Sequence, residues 1–79
     1  MSLNKVMLIG YVGQDPKMFG QDISRVAKFN IATSFKTSKG EQTEWHSIVA
    51  FDKTGSLVEQ YVKKGTRLYV EGRIKTDQY

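Results

Sequence analysis

Residues 43–51, T-E-W-H-S-I-V-A-F, and residues 56–65, S-L-V-E-Q-Y-V-K-K-G, decide the fold of this chain. In the first segment, odd-numbered and even-numbered positions face opposite sides, as the period of two in a β-strand requires. In the second, Ser56 and Glu59 have the spacing of a capping box, and Gly65 suits the left-handed residue that ends many helices. The sequence therefore predicts a strand, a short closing turn and a helix of about two turns.

Two strands are predicted before this stretch and one after it. Residues 3–12 are apolar on both parities, that is, at odd-numbered and at even-numbered positions. This pattern predicts a strand covered by its own core on one face and by another subunit on the other. The G-Q-D-P segment at 13–16 breaks that strand, and residues 23–35 alternate as a second strand with one core face. Residues 67–74 predict a last strand with one apolar face and one basic face.

The order strand, strand, strand, helix, strand is the opening of an OB-fold, a five-stranded Greek-key barrel with a helix between its third and fourth strands. An SH3-like barrel is the alternative on pattern alone, although such barrels usually lack this helix. The fifth strand is absent from the predicted set, so other residues or another chain must cover the edge of the fourth. We expect a mainly β, single OB-fold domain over residues 1–79, truncated at its C-terminal end.

Composition limits the function classes. The 79 residues include no cysteine, which excludes a disulfide scaffold, thiolate metal sites and a thiol nucleophile, and favours an intracellular setting. The net charge of +4 suits a polyanionic partner without proving one. The longest nearly apolar stretch, residues 6–12, is far below the roughly 20 residues that span a bilayer, and no signal peptide is recognisable. No membrane partner is therefore predicted.

Catalytic constellations are missing from the sequence. It has one histidine, His46, and no serine bracketed by glycines that would present a nucleophile. No phosphate-binding loop ends in Lys-Ser or Lys-Thr, and one histidine is too few ligands for a metal. We therefore predict a protein that is not an enzyme and needs neither metal nor cofactor, with His46 serving in packing or at a subunit interface.

Aromatic and basic residues are more informative. Trp45 and Phe51 share one face of the third predicted strand, about 20 Å apart at roughly 3.3 Å per residue, and an indole is too large for the centre of a small barrel. On pattern alone these two side chains either stack on unpaired bases or fill a subunit interface. Lysines and arginines fall on polar faces and turns, and residues 23–39 contain no acid, which favours contact with a phosphate backbone.

Six blocks of the sequence resemble the bacterial and mitochondrial single-stranded DNA-binding protein family, usually called SSB. In order they are N-K-V-M-L-I-G at 4–10, G-Q-D-P at 13–16, I-A-T-S at 31–34, Q-T-E-W-H at 42–46, Y-V-K-K-G at 61–65 and Y-V-E-G-R-I at 69–74. The T-E-W-H sequence before an apolar strand is the most specific of them.

The resemblance implies an OB-fold subunit of a homotetramer, a dimer of dimers, that binds single-stranded DNA without sequence preference and without a cofactor. Replication, recombination and repair are the implied processes. In the family an acidic C-terminal tip, absent here, recruits replication and repair proteins. The implied location is the bacterial cytoplasm, associated with the nucleoid; the mitochondrial matrix is less favoured because no transit peptide is seen. An oligomerising scaffold related to primosomal proteins, which mainly holds other replication proteins, is the alternative.

The resemblance also assigns roles to individual residues. It implies base stacking at Trp45, Phe51 and Tyr79, and it adds Phe35, whose parity with Phe29 also allows a core position. With the charge pattern, it predicts phosphate contacts at Lys5, Lys36, Lys39, Lys53, Lys64, Arg73 and Lys75. His46 resembles a histidine at the family's subunit interface, and the two-sided first strand adds Val6 and Leu8 to that predicted interface.

Overall fold

The computed structural model describes residues 1–21 and 24–76. Its elements are β1 (Val6–Val12), β2 (Lys17–Phe19), β3 (Val26–Thr37), β4 (Gly40–Phe51), α1 (Asp52–Tyr61) and β5 (Arg67–Gly72). The strands form one antiparallel sheet, in which β1 pairs with β3 and β5, and β3 also pairs with β2 and β4. The predicted mainly β fold, with one helix before the last strand, is confirmed.

The strand β2 was not predicted. The second predicted strand is shifted toward the C-terminus, to Val26–Thr37, and the third begins earlier than predicted, at Gly40. With three residues, β2 is too short to show a period in the sequence. The turn between β3 and β4 consists of Ser38 and Lys39 alone, because Thr37 pairs with Gly40 and the Thr37 hydroxyl donates to the Gly40 carbonyl at 3.0 Å. The β3–β4 hairpin therefore extends well beyond the core.

The predicted start of the helix is wrong. Helix α1 begins at Asp52, whose backbone N–H donates to the Arg25 carbonyl at 2.9 Å, and no side chain caps it. Ser56 lies inside the helix, so the predicted capping box does not form. Gly55 is buried against the sheet, so close to it that a side chain would overlap the carbonyl oxygens of Arg25 and Ala50. Close packing on the sheet thus sets where the helix starts.

The core lies between the inner side of the sheet and α1. Its buried residues are Val12, Ala27, Phe29, Ile31, Ala50, Val58 and Val62, and Met18, Ile48 and Leu68 pack against them in part-buried positions. The predicted core face of β3 is confirmed by Phe29 and Ile31. On β4, Ile48 and Ala50 also face inward, on the side opposite Trp45 and Phe51.

Two side chains join segments that are distant in sequence. The Asn4 amide donates to the Ile74 carbonyl at 2.7 Å and accepts from the Ile74 N–H at 2.9 Å. It thereby continues the β1–β5 pairing past Val6 and Gly72. The Asp15 carboxylate accepts from the Lys64 N–H at 2.9 Å and ties the segment after β1 to the turn before β5. In residues 1–21 and 24–76, no helix has the length and apolarity needed to cross a membrane.

Candidate nucleic-acid interface

One side of the sheet faces solvent across β2, β3, β4 and the Tyr11 end of β1, and we call it the outer face. Directly opposed residues of paired strands share a side, so the register defines four rows across this face. From one end to the other they are Tyr11–Ala32–Trp45, Asn30–Ser47, Lys17–Lys28–Val49 and Phe19–Val26–Phe51. Aromatic side chains thus lie at both ends of the outer face, and between them lie polar and basic side chains together with Val49.

Trp45 and Phe51 are exposed on this face, as predicted. Their exposed fractions are 61% and 54%, whereas Ala50 between them is buried. An aromatic ring left this open loses the hydrophobic stabilisation that burial would supply. The two rings are therefore available to a flat ligand.

The Trp45 end of the outer face has a defined shape. The indole lies over Gly13, and Gly13, Gln14, Asn30 and Trp45 line a shallow notch beside it. Next to the notch, the Ser47 hydroxyl donates to the Asn30 side-chain oxygen at 3.4 Å. A base on the indole would have amide and hydroxyl groups at its edge.

The Phe51 end contains residues that were not predicted as site residues. Phe19 and Lys17 belong to β2, which the sequence pattern did not reveal, and Lys28 lies opposite Lys17. Tyr11, on the Trp45 row, belongs to a strand whose two parities are both apolar, so its outward direction could not be assigned. On this face, only β3 and β4 had a clear alternation in the sequence.

Phe35 lies apart from the other aromatic residues. It is 47% exposed and opposite Gln42, on the parity of Phe29 and Ile31, which is the reverse side of the ribbon from Trp45. The hairpin has left the barrel at this point, so Phe35 is not a core residue either. Its stacking role stays a prediction. Tyr79 lies outside the described residues, and its role also stays a prediction.

The predicted phosphate-contact residues are all exposed but are not equivalent. Lys36 lies opposite Glu41, Lys39 lies in the hairpin turn, and Lys53 is two residues beyond Phe51. The Lys5 ammonium is 3.3 Å from a carboxylate oxygen of Glu71, so its charge already has a partner. The remaining three are exposed near the C-terminal end of the described chain: Lys64, Arg73 and Lys75.

The predicted interface residues lie on the inner side of the sheet. Val6 and Leu8 are half-buried on the side of Gly10 and Val12, and His46 is half-buried with Nε2 2.9 Å from the Thr33 hydroxyl. The exposed apolar side of β1 is instead made of Met7, Ile9 and Tyr11, and Tyr69 lies opposite Ile9. The Tyr69 hydroxyl donates to Glu71 at 3.0 Å, and this hydrogen bond raises the Tyr69 pKa.

Metal ligation finds no support in the part of the chain that the structure describes. Neither of its two segments contains a group of three or more histidine, aspartate and glutamate side chains that could hold an ion. The outer face therefore offers rings, amides, hydroxyls and ammonium groups, which are groups that bind organic anions.

Comparisons with known proteins identify the family. The model of the single-strand binding protein family matches residues 3–79. A single-stranded DNA-binding protein of Bacteroides thetaiotaomicron is 47% identical over 87 aligned positions, covering 100% of this chain and 54% of that protein. Single-stranded DNA-binding protein 1 of Chlorobaculum tepidum is 49% identical over 83 positions, covering 94% of this chain and 49% of that protein. This chain thus spans about half the length of these relatives.

A solved structure resembles the whole fold. A chain of the Plasmodium falciparum SSB complex with single-stranded DNA matches with a TM-score of 0.82 and 38% identity, covering 92% of this chain and 70% of that one. The likeness confirms the predicted OB-fold. The chain belongs to the single-strand binding protein family.

Proposed function

We propose that this chain binds single-stranded DNA without sequence preference, through the outer face. The observation that supports this most strongly is the exposure of Trp45 and Phe51 at 61% and 54% on one side of the sheet in a member of this family. Every base has a π-face, and stacking on an aromatic side chain contributes about 1 to 3 kcal/mol per base. Stacking of this kind needs no particular base, so it predicts weak sequence preference.

Charge supports the same proposal. The chain has a net charge of +4, and Lys17 and Lys28 lie between the two aromatic rows. A strand that crosses from the Trp45 row to the Phe51 row passes these ammonium groups, and each phosphate that they neutralise releases condensed counterions. Binding, and not catalysis, is the proposed activity. Its use in replication, recombination and repair at the bacterial nucleoid belongs to the proposal.

Self-association is a second part of the proposal, with a homotetramer as the assembly. The exposed side of β1 presents Met7, Ile9 and Tyr11, of which 63%, 57% and 57% are exposed, and Tyr69 adjoins them. A contiguous apolar strip on a small protein is typical of a surface that another chain covers. The same strip favours the alternative function, an oligomerising scaffold that does not bind DNA.

The test uses Trp45, the only tryptophan, as its own reporter. The protein is titrated with oligo-dT and with a duplex of equal length at two salt concentrations, while tryptophan fluorescence is followed. We expect quenching by oligo-dT alone, only partly weakened by salt. Phe51→Ala should lower affinity, and Tyr61→Ala, which removes a 66% exposed ring from α1, should not.

Three other outcomes contradict the proposal. Equal binding of both DNAs without quenching would mean a basic surface that does not stack on bases. A Phe51→Ala effect no larger than that of Tyr61→Ala would remove Phe51 from the interface. A stable oligomer that binds neither DNA would favour the scaffold.

A further inference from the structure

We propose that β2 adds a separate nucleotide subsite to the outer face, with Phe19 as a base-stacking ring and the Lys17–Lys28 pair as a phosphate contact. The ligand is one unpaired nucleotide of the strand that also crosses Phe51. This inference rests on the proposed function, and it concerns residues that neither the sequence pattern nor the family resemblance indicated.

The position of Phe19 continues the row of Phe51. Phe19 pairs with Val26, and Val26 pairs with Phe51 on the other edge of β3. Two strand spacings place the backbones of Phe19 and Phe51 about 10 Å apart on the same side of the sheet. A strand that leaves the Phe51 ring in this direction reaches Phe19 next, with only the smaller Val26 side chain between them.

The alternation of β2 explains why Phe19 is exposed. Met18 points inward and packs against the core, so Lys17 and Phe19 must point outward. Phe19 keeps 48% of its surface exposed. A large apolar ring at this edge contributes little to the core, and its position suits a ligand that covers it.

The Lys28 side chain lies close to the Phe19 ring. Its ammonium nitrogen is 5.2 Å from the centroid of that ring, which is within cation–π range. In the proposed subsite, a base stacks on the ring face opposite the ammonium. The same lysine can then contact the phosphate of the nucleotide whose base stacks on the ring.

Lys17 and Lys28 are opposed on the same side of an antiparallel pair. Like charges in this position repel and destabilise the pairing. Within residues 1–21 and 24–76, the ion pairs are Lys5 with Glu71 and Arg25 with Glu59, so neither Lys17 nor Lys28 is paired with an acid of these two segments. A phosphate that contacts both side chains would relieve the repulsion, so an anion is the kind of ligand that this edge favours.

Phe19→Leu and Lys28→Gln test the subsite. Leucine keeps an apolar side chain but has no π-face, and glutamine keeps a flexible polar side chain, one atom shorter, while removing the charge. Affinity is measured by Trp45 quenching with a series of oligo-dT lengths. Phe19→Leu should weaken binding about fivefold or more, the factor that corresponds to one base at the low end of stacking energies. The loss should appear only with oligonucleotides long enough to pass beyond Phe51.

Lys28→Gln should reduce the slope of log affinity against log salt by about 0.7, the value for one phosphate contact on a single strand. Tyr61→Leu is the matched control for loss of an exposed ring, and Lys63→Gln is the control for loss of an exposed charge away from the outer face. Thermal unfolding of each variant shows that the fold is retained.

The outcomes separate the subsite from the proposed function. If the unmodified protein binds oligo-dT with quenching, and both test variants match their controls at every length, the subsite is refuted and the proposed function stands. If the unmodified protein does not bind oligo-dT, the proposed function fails and the subsite fails with it. Length-dependent loss in Phe19→Leu, together with the smaller salt slope of Lys28→Gln, supports the subsite.

Discussion

The Trp45 indole lies over Gly13, across β3 from its own strand, and a side chain at residue 13 would overlap the ring. The backbone is held at this point as well, because the Gly13 N–H donates to the Asn30 carbonyl at 3.2 Å. The orientation of the exposed indole on β4 therefore depends on the absence of a side chain at Gly13, in the segment that follows β1.

Gly13→Ala should displace the indole without unfolding the protein. The added methyl group meets the rim of a partly exposed ring, which can move, and no backbone atom is among its close neighbours. We expect weaker oligo-dT binding and altered Trp45 quenching with little change in Tm. Gly72→Ala is the control, because a side chain there meets nothing within 4 Å. Equal DNA binding by both variants would show that the contact does not orient Trp45 for binding.

Asp52, next to Phe51, has two unfavourable properties: one lowers the stability of the fold and the other opposes DNA binding. It adopts φ 54°, a conformation that glycine tolerates best, and it puts a negative charge beside a proposed stacking ring. Asp52→Asn removes only the charge, whereas Asp52→Gly also relieves the backbone. Both variants should bind oligo-dT more tightly at low salt. The glycine variant should have the higher Tm of the two. The left-handed conformation destabilises other residues by about 1 to 2 kcal/mol, and the greater freedom of glycine in the unfolded chain offsets only part of that gain. A lower Tm for glycine would mean that the left-handed conformation costs little here.

The Asn4 side chain replaces a backbone partner for Ile74. Asn4→Ala removes both hydrogen bonds, and we expect a loss of about 1 to 2 kcal/mol in unfolding free energy. Hydrogen exchange at the Ile74 amide should become faster. Asn4→Asp keeps the acceptor and loses the donor, so its unfolding free energy should lie between those of the unmodified protein and Asn4→Ala. Unchanged exchange at Ile74 in the alanine variant would contradict the proposed pairing.

A charge on the exposed side of β1 tests self-association. Ile9→Glu places a carboxylate in the apolar strip, and we expect sedimentation to report a smaller species with little change in the secondary structure, because the side chain is already 57% exposed. Leu57→Glu, at a 55% exposed apolar position on α1, is the control. A monomer before any substitution, or an oligomer that survives Ile9→Glu unchanged, would contradict the use of this strip.

Sequence reasoning succeeded where one local pattern determines the outcome. The alternation of β4 correctly assigned Trp45 and Phe51 to one side and Ala50 to the other. It failed where tertiary contacts decide. The Ser56 capping box was outweighed by the bond from Asp52 to the Arg25 carbonyl, and the two apolar parities of β1 gave no means of choosing which one faces the core.

Two features of the structure could not be predicted from sequence periodicity: the short strand β2 and the extension of the β3–β4 hairpin beyond the core. The three residues of β2 have too few positions for a period, so the Phe19 end of the outer face was missed. Phe35 has core parity, but the length of the hairpin places it beyond the core, and sequence periodicity contains no information about where a barrel ends.

The two-residue turn between β3 and β4 also bears on the order in which the molecule folds. A hairpin closed by so short a loop forms in about 1 to 10 µs, whereas the β1–β5 pairing must bring opposite ends of the chain together and is expected later. Trp45, Phe51 and the β3 residues between them thus acquire their common side early, from local pairing alone. The β3–β4 part of the surface proposed to contact DNA is therefore expected to form before the rest of the barrel closes.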